Sequence, residues 1–286
     1  MNLYIGENMD FFTYFKMLRP TVILLSFFAV FLAAIISGTF YLPYLLLASF
    51  IAFLISGGGN VLNDYFDYKI DRINKPQRPI PSGKIKRKNA LRYSYLLLLS
   101  SFILLVVFFT NNVPVFLIGT ANIFITTIYA SLHFKRLKIP LLANLTDSWL
   151  VASTFLFGGL LFNTNISITI LLLSILAFFA NLGREIVKDI EDIKGDEKFN
   201  YKTLPITVGK NYASWIACTF VLFAIIFSFL PYLFNLLTIN YLIFVLIADT
   251  IFAISCPLIL ISPIKAQKFM KIGMFIALIS FLVGIF

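Results

Sequence analysis

The sequence predicts an all-α, polytopic membrane protein. Three observations carry that prediction. Of 286 residues, 60% are hydrophobic and only 13% charged, with a mean hydropathy of +0.93, a composition outside the range of soluble domains of this size. The apolar residues fall into nine stretches near the ~20 residues that cross a bilayer. The 23 Lys and Arg residues fall ahead of the first stretch, in alternate connections or, for Lys271, just inside the last stretch, so one face of the membrane holds them all. By the positive-inside rule that face is cytoplasmic.

Residues 1–18, with Phe11, Phe12, Tyr14 and Phe15, read as an interfacial segment. Glu7 and Asp10 interrupt it and no small-residue cleavage pattern follows, which argues against a signal peptide. The spans are expected over 20–37, 41–61, 93–110, 114–133, 141–161, 167–183, 211–231, 240–261 and 269–286. The connections at Ser37–Leu42, Asn111–Asn112, Asn163–Asn165 and Pro231–Ile239 are short or uncharged. Lys16 and Arg19 precede the first span. Nine basic residues follow the second span, three the fourth, six the sixth and three the eighth. An odd number of spans places Phe286 outside. The net charge of +10 could suit nucleic acid, but this segregation assigns it to membrane topology, and no nucleic-acid partner is expected.

Two polar rows break the apolar pattern. After Gly57-Gly58-Gly59 come Asn60, Asp64, Asp67 and Asp71; 125 positions later come Glu185, Asp189, Asp192 and Asp196 with the same +4, +3, +4 spacing. At about 100° per residue each row occupies roughly a 60° arc of a helix. Asn63 lies off that arc. Four spans separate the rows, so they point the same way, a parallel internal repeat within one domain covering 1–286. Carboxylates in a row repel one another and require cations, and their oxygens suit a hard ion such as Mg²⁺. With Lys and Arg around them, they describe a site for a metal-bound polyanion. A polyanion that must reach a membrane site suggests a lipid diphosphate with its head at the mouth and its tail among the helices.

These residues carry a resemblance. Asn63-Asp64-Tyr65-Phe66-Asp67-Tyr68-Lys69-Ile70-Asp71 resembles the NDxxDxxxD signature of the UbiA-type intramembrane prenyltransferases, and Asp192-Ile193-Lys194-Gly195-Asp196 their second DxxxD motif. Arg78-Pro79-Ile80-Pro81-Ser82-Gly83 is similar to their RP-x-PSG segment, and Tyr129 with Lys135-Arg136 to the family's Tyr and KR element. The resemblance implies a ring of nine transmembrane helices around a central cavity, capped by the two Asp-bearing cytoplasmic loops. It also implies roles. Asn60, Asp64, Asp67, Asp71, Asp192 and Asp196 would hold Mg²⁺ and the diphosphate; Asp189 and Glu185 would be ligands or acceptor-side groups. Arg19, Arg78, Lys135 and Lys188 would contact substrate, and Tyr129 would lie near the bond that ionises. Glu185 departs from the Asp of many relatives.

The segment Gly183–Asp192 most resembles the archaeal branch that makes digeranylgeranylglyceryl phosphate. That branch implies a geranylgeranyl diphosphate donor and a geranylgeranylglyceryl phosphate acceptor, alkylated at a hydroxyl to give an ether lipid. Lys84, Lys86, Arg87 and Lys88 could hold the acceptor's phosphate; positive-inside topology is the other reading of that cluster. Transfer to an aromatic quinone precursor is the alternative chemistry. An ion or phosphate transporter is a third reading, disfavoured because the acidic groups gather at one membrane face rather than at mid-depth.

The remaining polar and small residues receive plainer readings. Asp147 and Asp249, in spans five and eight, either face a cavity or bond between helices. His133 reads as a surface or capping residue. Cys218 and Cys256 read as small buried hydrophobes rather than a disulfide. Gly57, Gly58 and Gly59 read as loosening or closely packing the helix end rather than binding phosphate, since no GK[ST] follows.

Overall fold

The computed structural model describes residues 11–38, 41–131, 137 and 139–286, and among them every regular element is helical. The elements are α1 (Phe11–Met17), α2 (Pro20–Ile36), α3 (Leu42–Phe66), α4 (Tyr68–Asn74), α5 (Arg87–Phe109), α6 (Val113–Ser131) and α7 (Leu142–Gly159). They continue with α8 (Ile168–Lys198), α9 (Leu204–Val208), α10 (Lys210–Phe227), α11 (Leu230–Leu233), α12 (Ile239–Ile261) and α13 (Pro263–Val283).

Seven helices are long and apolar enough to cross a membrane: α3, α5, α6, α8, α10 with α11, α12 and α13. The bent pair α1–α2 passes the same test as one broken unit, with 62° between its halves. α7 falls short because Asn144, Thr146, Asp147 and Ser148 dilute its apolar content. Helix starts follow local chemistry. Proline opens α2, α3 and α13, where its missing N–H costs nothing. The Ser167 hydroxyl caps α8 by accepting from the Ile170 N–H at 3.3 Å.

The helices close a ring. α2 packs on α3 and α7, α7 on α8, α8 on α10, α10 on α12, and α12 on α13, which returns to α2 and α8; α5 and α6 lean on α3, and α6 on α7. α3 and α8 are the most enclosed, with 67% and 61% of their apolar windows buried against 28–39% for the other five. The two long helices that carry the polar rows are therefore the most covered by their neighbours, and apolar side chains such as Leu99, Val107, Phe124 and Ile226 are exposed on other helices. Glycine permits the closest approaches. A Cβ on Gly58 would meet Leu98 of α5 at 2.8 Å, one on Gly59 would meet Thr126 of α6 at 2.5 Å, and one on Gly158 would meet the Val30 carbonyl oxygen of α2 at 2.3 Å. The triple glycine thus packs helices closely, one of the two readings its sequence left open.

The two polar rows differ in build. α8 is 31 residues long and carries its row to Asp196 without interruption, well past the expected span limit at 183. The first row is broken. α3 ends at Phe66, Asp67 occupies the junction, and α4 restarts at Tyr68. Asp71 is therefore aimed by a separate short helix rather than by the face that carries Asp64.

Candidate active site

Both rows reach one small pocket at the charged end of the ring. Its walls include Asp67 and Asp71 from the first segment, Lys188, Asp192 and Asp196 from α8, and Arg19, Asn63, Arg78 and Tyr129. A two-point clamp brings the segments together. The Asn74 side-chain amide donates to the Asp192 carbonyl oxygen at 3.0 Å, and the Gly195 N–H donates to Asn74 Oδ1 at 2.9 Å. Lys75 adds an ion pair to Asp192 Oδ2 at 2.8 Å.

Cations hold the carboxylates at close quarters. Arg78 Nη1 donates to Asp71 Oδ2 at 2.6 Å and to Asp64 Oδ1 at 3.1 Å, and Arg19 Nη2 reaches the same Asp64 oxygen at 2.7 Å. Arg19 takes a left-handed backbone (φ +57°) between α1 and α2, which avoids the αR region disfavoured before Pro20. Burial pushes the Asp71 carboxyl up to about 6; Arg78 opposes the rise, and the charges of Asp64 and Asp67 reinforce it. Burial works against the Arg78 charge, but Asp64 and Asp71 more than offset it and leave the guanidinium more basic than usual. Burial also lowers the Lys75 pKa, with Asp192 opposing.

The donor set suits a hard divalent ion. Among the described residues, no three acidic, His or Cys side chains converge as a finished metal site, because the acids face cations instead. Yet Asp192 Oδ1 is buried with no hydrogen-bond partner among the described residues. An orphaned carboxylate oxygen in a pocket whose walls carry three further carboxylates is the donor chemistry that suits Mg²⁺.

Beside the acidic pocket opens a much larger, mainly apolar cavity of about 1570 Å³ of non-atom space, open solvent at its mouth included. Every long helix except α5 contributes to its wall. One face of α8 runs through both spaces: Leu176, Ala177, Ala180, Asn181 and Arg184 line the cavity, and Lys188, Asp192 and Asp196 line the pocket. Asn63 lines both.

A model of the UbiA prenyltransferase family matches residues 22–279, nearly the whole chain. The protein belongs to the UbiA prenyltransferase family. A digeranylgeranylglyceryl phosphate synthase from Methanosphaera stadtmanae is 43% identical over 277 residues, covering 95% of this chain and 98% of that protein. A solved structure concerned with digeranylgeranylglyceryl phosphate synthase in membranes matches with a TM-score of 0.70 and 35% identity over 95% of this chain and 97% of its own. A UbiA homologue from Archaeoglobus fulgidus, solved bound to DMAPP and Mg²⁺, shares the fold at a TM-score of 0.64 and 16% identity, over 96% of this chain and 98% of its own.

Within this UbiA prenyltransferase the candidate residues separate into groups. Asp67, Asp71, Asp192, Asp196, Tyr129, Arg19, Arg78 and Lys188 line the acidic pocket. Asp64 lies behind it, 3% exposed and gripped by Arg19 and Arg78. Asn60 lines the apolar cavity, and its amide donates to the Leu18 carbonyl oxygen at 3.0 Å, tying the α1–α2 bend to α3. The second row divides. Glu185 pairs with Arg184 and, at 2.7 Å, with Lys188, while Asp189 Oδ2 accepts from the Asn144 amide at 2.8 Å; neither lines the pocket. A 60° arc on an ideal helix is wide enough for one edge to face α7 and the other the pocket.

Lys84 is exposed and lines neither space, as are Lys86, Arg87 and Lys88; Arg87 lies over the Tyr65 ring at 4.2 Å, on the outer side of α3. Lys135, with His133 and Arg136, lies outside the described residues. Asp147 and Asp249 fulfil both of their readings, lining the cavity while accepting from Asn181 at 3.2 Å and from the Ser228 hydroxyl at 2.7 Å. Cys218 and Cys256 are free thiols. Spacing missed Asn63, which the arc excluded, together with Asn74, Lys75 and Arg184. Asn74 and Lys75 stand one turn beyond Asp71, and that position was their only signal.

Proposed function

We propose that this prenyltransferase transfers a geranylgeranyl group from geranylgeranyl diphosphate to a hydroxyl of geranylgeranylglyceryl phosphate, forming an ether lipid with release of diphosphate. The observation that supports it best is the acidic pocket opening directly beside the large apolar cavity, with Asn63 on both walls. A diphosphate head fits the first space and a long isoprenoid tail the second. The name of the Methanosphaera relative and of the 35%-identical solved structure supports the acceptor.

In this reading Asp67, Asp71, Asp192 and Asp196 hold Mg²⁺, as the Mg²⁺ and DMAPP in the Archaeoglobus homologue encourage. Bound Mg²⁺ supplies positive charge that stabilises the departing diphosphate. Arg78 and Arg19 turn from Asp64 and Asp71 toward diphosphate oxygens, adding donors where negative charge develops. Tyr129, on the pocket wall, lies near the ionising C–O bond and shields the allylic cation. The apolar walls exclude water that would otherwise capture that cation. The acceptor hydroxyl attacks the allylic carbon, forms the ether bond and loses its proton.

The same reading treats all nine long helices as spans of a single domain made of two parallel halves. α4 and the end of α8 then form caps on the cytoplasmic face, where the basic connections lie. The test is purified protein in lipid vesicles with Mg²⁺, labelled geranylgeranyl diphosphate and geranylgeranylglyceryl phosphate. The expected product is a labelled ether lipid phosphate, absent with EDTA. Product only with an aromatic acid acceptor would overturn the reading.

A further inference from the structure

The apolar cavity carries a cation that the acidic pocket does not use. Lys271, on α13, lines the cavity and has no hydrogen bond or ion pair among the described residues. Its ammonium is partly buried and feels the positive charges of Arg184, Arg19 and Lys188, with Glu185 opposing them. Arg184 lines the same cavity. Its Nε and Nη2 donate to Asn181 Oδ1 at 3.1 and 2.9 Å, and Nη2 also meets Glu185 and stands 3.8 Å from Asp147. Nη1 makes no hydrogen bond among the described residues. Arg19 is matched by Asp64. Set against Glu185 and Asp147, the cations Arg184, Lys188 and Lys271 leave one positive charge over, and the ammonium without an ion pair among the described residues is that of Lys271.

An unmatched cation on the wall of a mainly apolar cavity is costly unless an anion arrives to meet it. We propose that Lys271, with Arg184 held in place by Asn181 and Asp147, binds the phosphate of the lipid acceptor inside the apolar cavity. The inference rests on the proposed transfer to a lipid phosphate and names the part of the site that recognises it. The location suits a second anion. These two residues line the cavity rather than the acidic pocket, so their ligand sits beside the donor head instead of replacing it. Lys188, one helical turn beyond Arg184 on α8, lines the acidic pocket and marks the border between the two anion sites. Charge recognition here accounts for selection of a phosphorylated acceptor, a task for which the exposed Lys84 cluster is badly placed.

The experiment compares wild type, Lys271→Gln and Lys271→Arg on the lipid phosphate acceptor and on its dephosphorylated alcohol, with the KM for geranylgeranyl diphosphate measured in parallel. Lys271→Gln is expected to raise the acceptor KM about 10- to 100-fold, the range for one lost charge-assisted hydrogen bond. The preference for phosphorylated over dephosphorylated acceptor should fall by the same factor, with the donor KM unmoved and Lys271→Arg restoring most of the preference. An unchanged preference in Lys271→Gln, or a donor KM that rises in step, overturns the assignment. Failure of wild type to use any lipid phosphate acceptor would instead remove the proposed function itself, a different result.

Discussion

Asn74 offers a direct test of how the site is assembled. Its side chain bonds two backbone groups of α8, the Asp192 carbonyl at 3.0 Å and the Gly195 N–H at 2.9 Å, and no other side chain holds α4 to α8 through two hydrogen bonds among the described residues. At roughly 1 kcal/mol net per bond, Asn74→Ala should weaken docking of α4 by about 2 kcal/mol, about 30-fold in the docking equilibrium. Lys75–Asp192 remains and limits the damage. Gly195→Ala attacks the same contact from the other side. In a helix interior, glycine to alanine ordinarily stabilises by about 0.5–1 kcal/mol. Here the new Cβ would stand 2.4–2.6 Å from three Asn74 side-chain atoms, so the sign should reverse. The double mutant removes the clash and should be no worse than Asn74→Ala alone. The assay is kcat and the Mg²⁺ concentration for half-maximal rate, with thermal unfolding in detergent alongside. Both single mutants should need more Mg²⁺, because Asp67 and Asp71 would no longer be held opposite Asp192 and Asp196. Additive losses in the double mutant, or wild-type Mg²⁺ dependence in Asn74→Ala, would refute the clamp.

Three further outcomes are expected. Asp192→Ala should abolish turnover while the protein still folds, checked by product formation against a retained gel-filtration profile, because it removes both the orphaned oxygen and the partner of Lys75. Ala29→Phe, which places a large ring on the cavity wall at a residue 4% exposed, should shift the donor preference in kcat/KM from C20 toward shorter diphosphates. Lys84→Ala should change kcat/KM less than about twofold, since its side chain is exposed and lines neither space.

Helix positions were legible because they depend on local facts. The apolar run through Leu42–Ile55 and the charged connection after Asp71 each act within a few residues. α8 runs past the expected span limit at 183 to Lys198, and Asn181, Arg184, Glu185, Asp189 and Asp192 are buried against neighbours along it, which no local pattern in the chain states. Asn63 was missed by spacing. It lies off the carboxylate arc on an ideal helix, yet in the fold it stands on the wall shared by the pocket and the cavity.

By itself the sequence determined a helical chain of membrane-spanning segments and two acidic segments of matching spacing, since apolar length, helical period and charge spacing are properties of neighbouring residues. Only the tertiary structure decided which acids share a pocket. It carried Arg19 to Asp64 across 45 positions and Asn74 to Gly195 across 121, turned Glu185 and Asp189 aside, and left Lys271 unpaired in the cavity. Those choices arise where helices cross, and side chains that meet across a crossing leave no local spacing in the chain.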